Sequence, residues 1–331
     1  MPSITLPHEA TNILSLADWL EICAQLSPDE NASRGDLESA LRTAAVLESR
    51  SNEALEELCL DVFSELEQRA IAAGDAYPFV VSGSVLSLKP NQDRFTAYVF
   101  CLYLSYFSWS SKRQSEIKVN PWMLFEELSY TAAVQYIGGE GVLFGTSRGN
   151  TKQAQKGFKN AIRDLCQRIG EGKDFKDQPD LSRKDDGVDL VVWKNFEDKR
   201  PSKVVMFGQC AGGNNWDKDG KLNRLAPRAF WDQWTVDSAV SPHLRSFYVP
   251  HRIIEKRWNY SGRNAGILFD RCRVAYWAFR NNDAIISNPN YQKWYRHIVK
   301  TNILQAGAIS KTRTKSARST KSKATKKSGK R

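Results

Sequence analysis

The sequence predicts an α/β protein with a mostly helical first third. Two short runs, 188–192 (Val-Asp-Leu-Val-Val) and 204–209 (Val-Val-Met-Phe-Gly-Gln), are rich in β-branched residues and too short for helices. Longer segments at helical period, Thr151 to Ile169 and Leu225 to Val236, flank them, so strands and helices alternate. Before about residue 115, helical spacing dominates.

The 331 residues, 41% hydrophobic and 11% aromatic, are enough for a sizeable core and for about two domains. No stretch approaches the roughly 18 apolar residues of a membrane helix. The longest apolar region, Phe95 to Trp109, is broken by Ser105 and Ser108. The N-terminus, MPSITLPHEA, lacks the basic and then apolar pattern of a secretory signal. The six cysteines are scattered with no Cys-x-x-Cys, and the four histidines are far apart, so zinc spacing is absent. Scattered thiols in a chain this long are expected to be buried, in a reducing, cytoplasmic setting. The net charge is +11, but Lys311 to Arg331 holds ten Lys or Arg and no acid, so 11 − 10 leaves the other 310 residues at about +1. The basicity is a tail.

The elements follow in order. Helices are expected from Leu16, after Ser33 (with Asp36 and Glu38 at the positive end of the dipole), and over Leu55 to Leu66. Tyr77 to Leu88 reads as extended, and Arg94 to Trp109 as an apolar helix. Pro121 starts a helix that runs from Trp122 to Ile137 and stops at Gly138-Gly139. Val142-Leu143-Phe144 is a short strand. The Thr151–Ile169 helix carries Lys152, Lys156, Lys159, Arg163 and Arg168 on its polar side. After the two strands already named come a helix at Leu225–Val236, a strand at Arg245–Pro250, and helices at Asn264–Arg280 and Asn288–Ala306. Residues 1–115 form the helical domain, 116–310 the α/β domain, and 311–331 a disordered tail suited to nonspecific contact with phosphate backbone.

Each central strand carries one polar residue in a run suited to burial. Alternation puts Asp189, Val191 and Trp193 on one face, and Val205, Phe207, Gln209 and Ala211 on one face of the next strand. If the strands are neighbours, Asp189 and Gln209 converge as an oxygen pair for a hard divalent cation.

The order helix, strand, strand, strand, helix, strand, with "DDGVDLVVW" followed by "KVVMFGQCA", resembles the restriction-endonuclease-like core of the PD-(D/E)xK nuclease superfamily, in its Mrr-like branch. The resemblance covers about residues 120 to 252, interrupted by the inserted basic helix 151–169, which with the tail is expected to hold the nucleic-acid backbone. It implies Mg2+- or Mn2+-dependent phosphodiester hydrolysis of DNA or RNA, with Asp189 as principal metal ligand, Gln209 as a second, and Glu126 from the first helix as a third (Glu127 as fallback). It also implies the setting of a bacterial restriction or phage-defence system, with the helical domain meeting protein partners. The family's lysine falls at Ala211, and losing one such donor costs roughly 100- to 1000-fold. Lys218 or Lys221 downstream could replace it. Lys203 lies about six positions too early, close to 20 Å at about 3.3 Å per residue.

Plainer readings stand beside these. Asp189 could cap the Asp185-Asp186-Gly187 turn, Gln209 could be a satisfied strand-end amide, and Glu126 and Glu127 could face solvent. Gly138-Gly139-Glu140-Gly141 leads from helix to strand, the reverse of a dinucleotide loop. Asp270 and Arg271 suggest a structural ion pair, and His243 and His251 flank the last core strand. The rival function is a nuclease-fold subunit that binds nucleic acid or partners without cleaving, favoured by Ala211 and Gln209.

Overall fold

A computed structural model of the chain describes residues 4–7, 9, 11–44, 51–90, 95–107, 116–144, 152–176, 187–218, 220–281 and 287–301, with the side chains of 152–156 outside the description. The basic tail and the Asp185-Asp186 turn residues also lie outside it. The chain forms two compact units. One is built on Met1–Ala70 and Phe79–Arg94 with the segment from Gln292 onward, the other on Ile71–Pro78 and Phe95–Tyr291.

In the first unit, Asn12 caps α1 (Ile13–Leu26) by accepting from the Ser15 N–H. Ser33 and Asp36 form a reciprocal capping box at the start of α2 (Arg34–Thr43). α3 spans Asn52–Ala73. The fully buried Arg69 ties α3 to α1, with Nε on Glu65 (2.8 Å), one terminal nitrogen on Asp18 (2.7 Å) and Glu21 (2.9 Å), and the other on the Leu14 carbonyl. Strands β1 (Asn31–Ser33), β2 (Phe79–Ser82) and β3 (Val85–Leu88) form an antiparallel sheet in the order β1-β3-β2. The mostly helical expectation missed β1 because three residues are too few to show alternation.

The second unit holds a five-stranded sheet, β4 (Glu140–Leu143), β5 (Leu190–Lys194), β6 (Val204–Cys210), β7 (Leu244–Tyr248) and β8 (Ile267–Phe269), in that order. β4, β5 and β6 are antiparallel, whereas β6, β7 and β8 are parallel. The parallel step needs a crossover, supplied by α7 (Pro227–Trp234). From α5 (Pro121–Ile137) to β7 the chain therefore reads helix, strand, helix, strand, strand, helix, strand, because the helix Lys152–Ile169 stands between β4 and β5. Asn120 caps α5, Pro121 occupies its first turn, and Gly138 ends it in the left-handed conformation.

Register Val191↔Phe207 and Trp193↔Val205 places these four side chains on one face. Phe158, Ile162, Leu165 and Ile169 of α6 (Lys152–Ile169), with Phe230, Trp231 and Trp234 of α7, cluster with them. α6 is thus part of the core and not an addition to it. α5 lies over the opposite face, where Tyr130 and Val192 close on Gly141.

Two boundaries differ from expectation. α4 (Ala97–Tyr106) belongs with the sheet unit, because its apolar surface is buried there, packed against α9 (Arg271–Ala278). The single helix over Asn264–Arg280 is interrupted: α8 (Glu255–Ala265) ends at Gly266, whose φ of +81° favours glycine, β8 follows, and Asp270 caps α9. All six cysteines are free thiols, five of them buried and Cys210 half-buried. Among the described residues no helix is long and apolar enough to cross a membrane.

Candidate functional site

Asp189 immediately precedes β5. Continuing the ladder beyond Leu190↔Gly208 sets Asp189 opposite Gln209, on one face of neighbouring antiparallel strands. Both side chains are buried, at 3% and 6% exposure. The ladder shifts at this end: the Asp189 N–H donates to the Gly208 carbonyl (2.9 Å), and the Asp189 carboxylate accepts the Cys210 N–H at 2.6 Å. The carboxylate thus caps the end of β6 through the Cys210 N–H. Gln209 Oε1 is buried, and among the described residues no donor reaches it. A buried carbonyl oxygen without a partner costs about 1–3 kcal/mol, so a cation or donor at this point would relieve it.

Both side chains line a cleft of about 280 Å³ with Gly187, Cys210, Ala211, Gly213, Asn215, Trp216, Lys221 and Arg224. Gly187 has a φ of +85°, and a Cβ there would stand 3.5 Å from both Gln209 Cδ and Arg224 Nε. Lys221 opens a short 3-10 turn (Lys221–Asn223) with Arg224 just after it. Side chains three apart in such a turn share a side, so one turn delivers both cations to the cleft. Lys221 Nζ donates to Asn215 Oδ1 at 2.7 Å, which holds the ammonium in place. The cleft therefore offers one carboxylate, one open amide oxygen and two cations.

Of the two downstream lysines, Lys221 lines the cleft, whereas Lys218 is exposed and does not. Glu126 is buried at 3% exposure on α5, the helix over the opposite face, and is not among the cleft-lining residues. Glu127 is half-buried, and burial pushes its carboxyl up. Lys203 is committed elsewhere, donating to the Ile169 carbonyl and to Asn195 Oδ1, both at 2.8 Å. Among the described residues, no group of three or more His, Cys, Asp or Glu side chains is placed to hold a metal ion. Arg224 and the side-chain role of Asn215 escaped the sequence reading, in which Gly212-Gly213-Asn214-Asn215 is a loop whose backbone N–H groups could meet a phosphate. Their signal is the Asn-x5-Lys-x2-Arg spacing that follows the Gln209 strand.

On α6, Arg163 pairs with Asp174 (3.0 Å), and Arg168 pairs with Glu140 and Asp164 while lying over the Trp193 ring. Lys159 lies over the Phe175 ring. These cations brace the helix. The acid–base pair expected at Asp270–Arg271 is distributed differently: Asp270 pairs with Arg252 at 2.7 Å, and the buried Arg271 donates to the Pro250 carbonyl and Ser105 Oγ.

No family model and no curated protein matches the chain. A solved structure, protein VC1899 from Vibrio cholerae, shares 12% identity with it over 76% of this chain and 81% of its own, at a TM-score of 0.19. At that score the likeness does not fix a fold.

Proposed function

We propose that the cleft binds a phosphodiester and that the chain is a nuclease of restriction-endonuclease-like fold, hydrolysing DNA with Mg2+ or Mn2+. The observation that carries the reading is the buried Gln209 Oε1, which no donor among the described residues reaches, beside the Asp189 carboxylate in a cleft that Lys221 and Arg224 also line. Three antiparallel strands after α5, followed by the α7 crossover to a parallel fourth strand, support it, with α6 set between the first and second strands. One carboxylate and one amide oxygen suit Mg2+, which completes its shell with water and substrate phosphate.

Asp189 and Gln209 would hold the cation, which when bound activates water and offsets phosphate charge. Lys221 and Arg224 bind the phosphate oxygens and stabilise charge that develops on them. Lys221 thereby takes the task of the lysine replaced at Ala211, and Asn215 keeps its ammonium directed. A place in a bacterial restriction or phage-defence system is part of this proposal. So are protein partners for the first unit.

The test is nicking of plasmid DNA with Mg2+ or Mn2+. Asp189→Asn keeps an oxygen for the Cys210 N–H but removes the charge, and should abolish nicking. Lys221→Met should lower it roughly 100- to 1000-fold. Nicking that survives Asp189→Asn removes the site assignment. Ala211 and the placement of Glu126 favour a second reading, binding without cleavage. Metal-independent binding by a parent that never cuts would establish it.

A further inference from the structure

α3 turns one long face to solvent. Glu53, Glu57, Leu60, Ser64 and Glu67 are spaced four, three, four and three apart, which sets them in one stripe along the helix. All five are exposed, Leu60 at 53%, and the exposed Glu56 and Asp61 flank them. The one cation in α3, Arg69, is buried on the opposite side with carboxylates of its own. Among the described residues, Arg34 alone comes within ion-pair reach of this face, at 3.9 Å from Glu56. Five carboxylates therefore surround a half-exposed leucine with almost no positive charge among them.

The complement lies in the same chain, where Lys311–Arg331 holds ten cations and no acid. The described chain leads towards it within the first unit. There the helix at 289–301 meets α1 through Tyr295, whose hydroxyl accepts from Gln25 Nε2 at 3.3 Å, and Arg69 ties α1 to α3. Residues 302–310 span about 30 Å when extended, against about 33 Å for the whole of α3. The basic segment has the reach as well as the charge.

We propose that Lys311–Arg331 docks on the outer face of α3, with its charged groups on Glu53, Glu57, Asp61 and Glu67 and its aliphatic stems over Leu60. A single exposed pair of this kind is weak. Tethering holds the segment at an effective concentration in the millimolar range, so several weak pairs together populate the docked state. Docking withholds these cations from phosphate, and α3 competes with nucleic acid for one segment. The contact stands or falls independently of the cleft.

The experiment measures how fast trypsin removes the segment from the full chain at low salt. The parent is compared with a variant carrying Glu53→Gln, Glu57→Gln, Asp61→Asn and Glu67→Gln. All four side chains are exposed, so the variant should keep the parent's melting temperature. A segment docked about nine-tenths of the time is removed about tenfold more slowly in the parent. At about 1 M salt, where the Debye length is about 3 Å, the two rates should converge. Equal rates at low salt overturn the proposal. Carbodiimide coupling of the parent, which joins an amine to a carboxylate that it touches, tests the contact without any variant. Links from lysines of 311–331 to the α3 carboxylates in the monomer support it. Links to carboxylates elsewhere overturn it, and links to α3 found only in dimers assign the face to a second copy and overturn it too.

Discussion

His243 lies between two rings, with the Phe207 centroid 5.0 Å away and the Trp231 centroid 4.8 Å away. Burial lowers its pKa from the ordinary 6.5 to about 4, the Arg228 charge adds to this, and Asp232 opposes it. An unfolded chain takes up this proton below pH 6.5, while the folded chain resists until about pH 4. The contribution is therefore complete above pH 6.5 and lost as pH falls towards 4. The melting temperature of the parent should drop across that window, and that of His243→Phe should drop less; parallel curves would remove the assignment. The lone histidine beside the strand thus has a structural role. Asp189 and Gln209 were legible as a pair because their parity in neighbouring strands is local information. Arg224 was not, and Lys221 was legible only as an alternative to Lys218, because the path of the loop decides which cations come back to Gln209.

At the scale of elements, the junction of α5 and β4 is the tightest approach. A Cβ on Gly139 would lie 2.0 Å from the Trp193 carbonyl oxygen and 3.0 Å from Lys194 Cα, both backbone atoms of β5. No side-chain rotation can relieve that clash, so Gly139→Ala has to part β4 from β5. The expected cost is about 3 kcal/mol, at the upper end of overpacking changes, read as a lower urea midpoint. The helix-to-strand glycines dismissed as a dinucleotide loop serve this approach. α6 teaches a related lesson. Its cations suggested a backbone-binding insertion, but Phe158, Ile162 and Leu165 set it in the core, and Arg163 and Arg168 are engaged with carboxylates.

For the whole molecule, charge is divided between a nearly neutral body and ten cations in Lys311–Arg331. Charge that is not tied to a site binds phosphate backbone through counterion release and makes affinity strongly salt-dependent. Deleting residues 311–331 should weaken oligonucleotide binding and flatten its salt slope, while leaving the effect of Asp189→Asn on nicking in place. An unchanged slope after truncation would assign the salt dependence to the folded units.

The alternation of strands and helices, the capping of α5 and the shared face of Asp189 and Gln209 were all determined by residues a few positions apart, because period and capping are local properties. Tertiary structure alone decided which cations enter the cleft, that Glu126 is buried on α5 outside the cleft lining, and that α6 fills the core. Those outcomes depend on long-range packing and loop paths, which no spacing along the chain encodes.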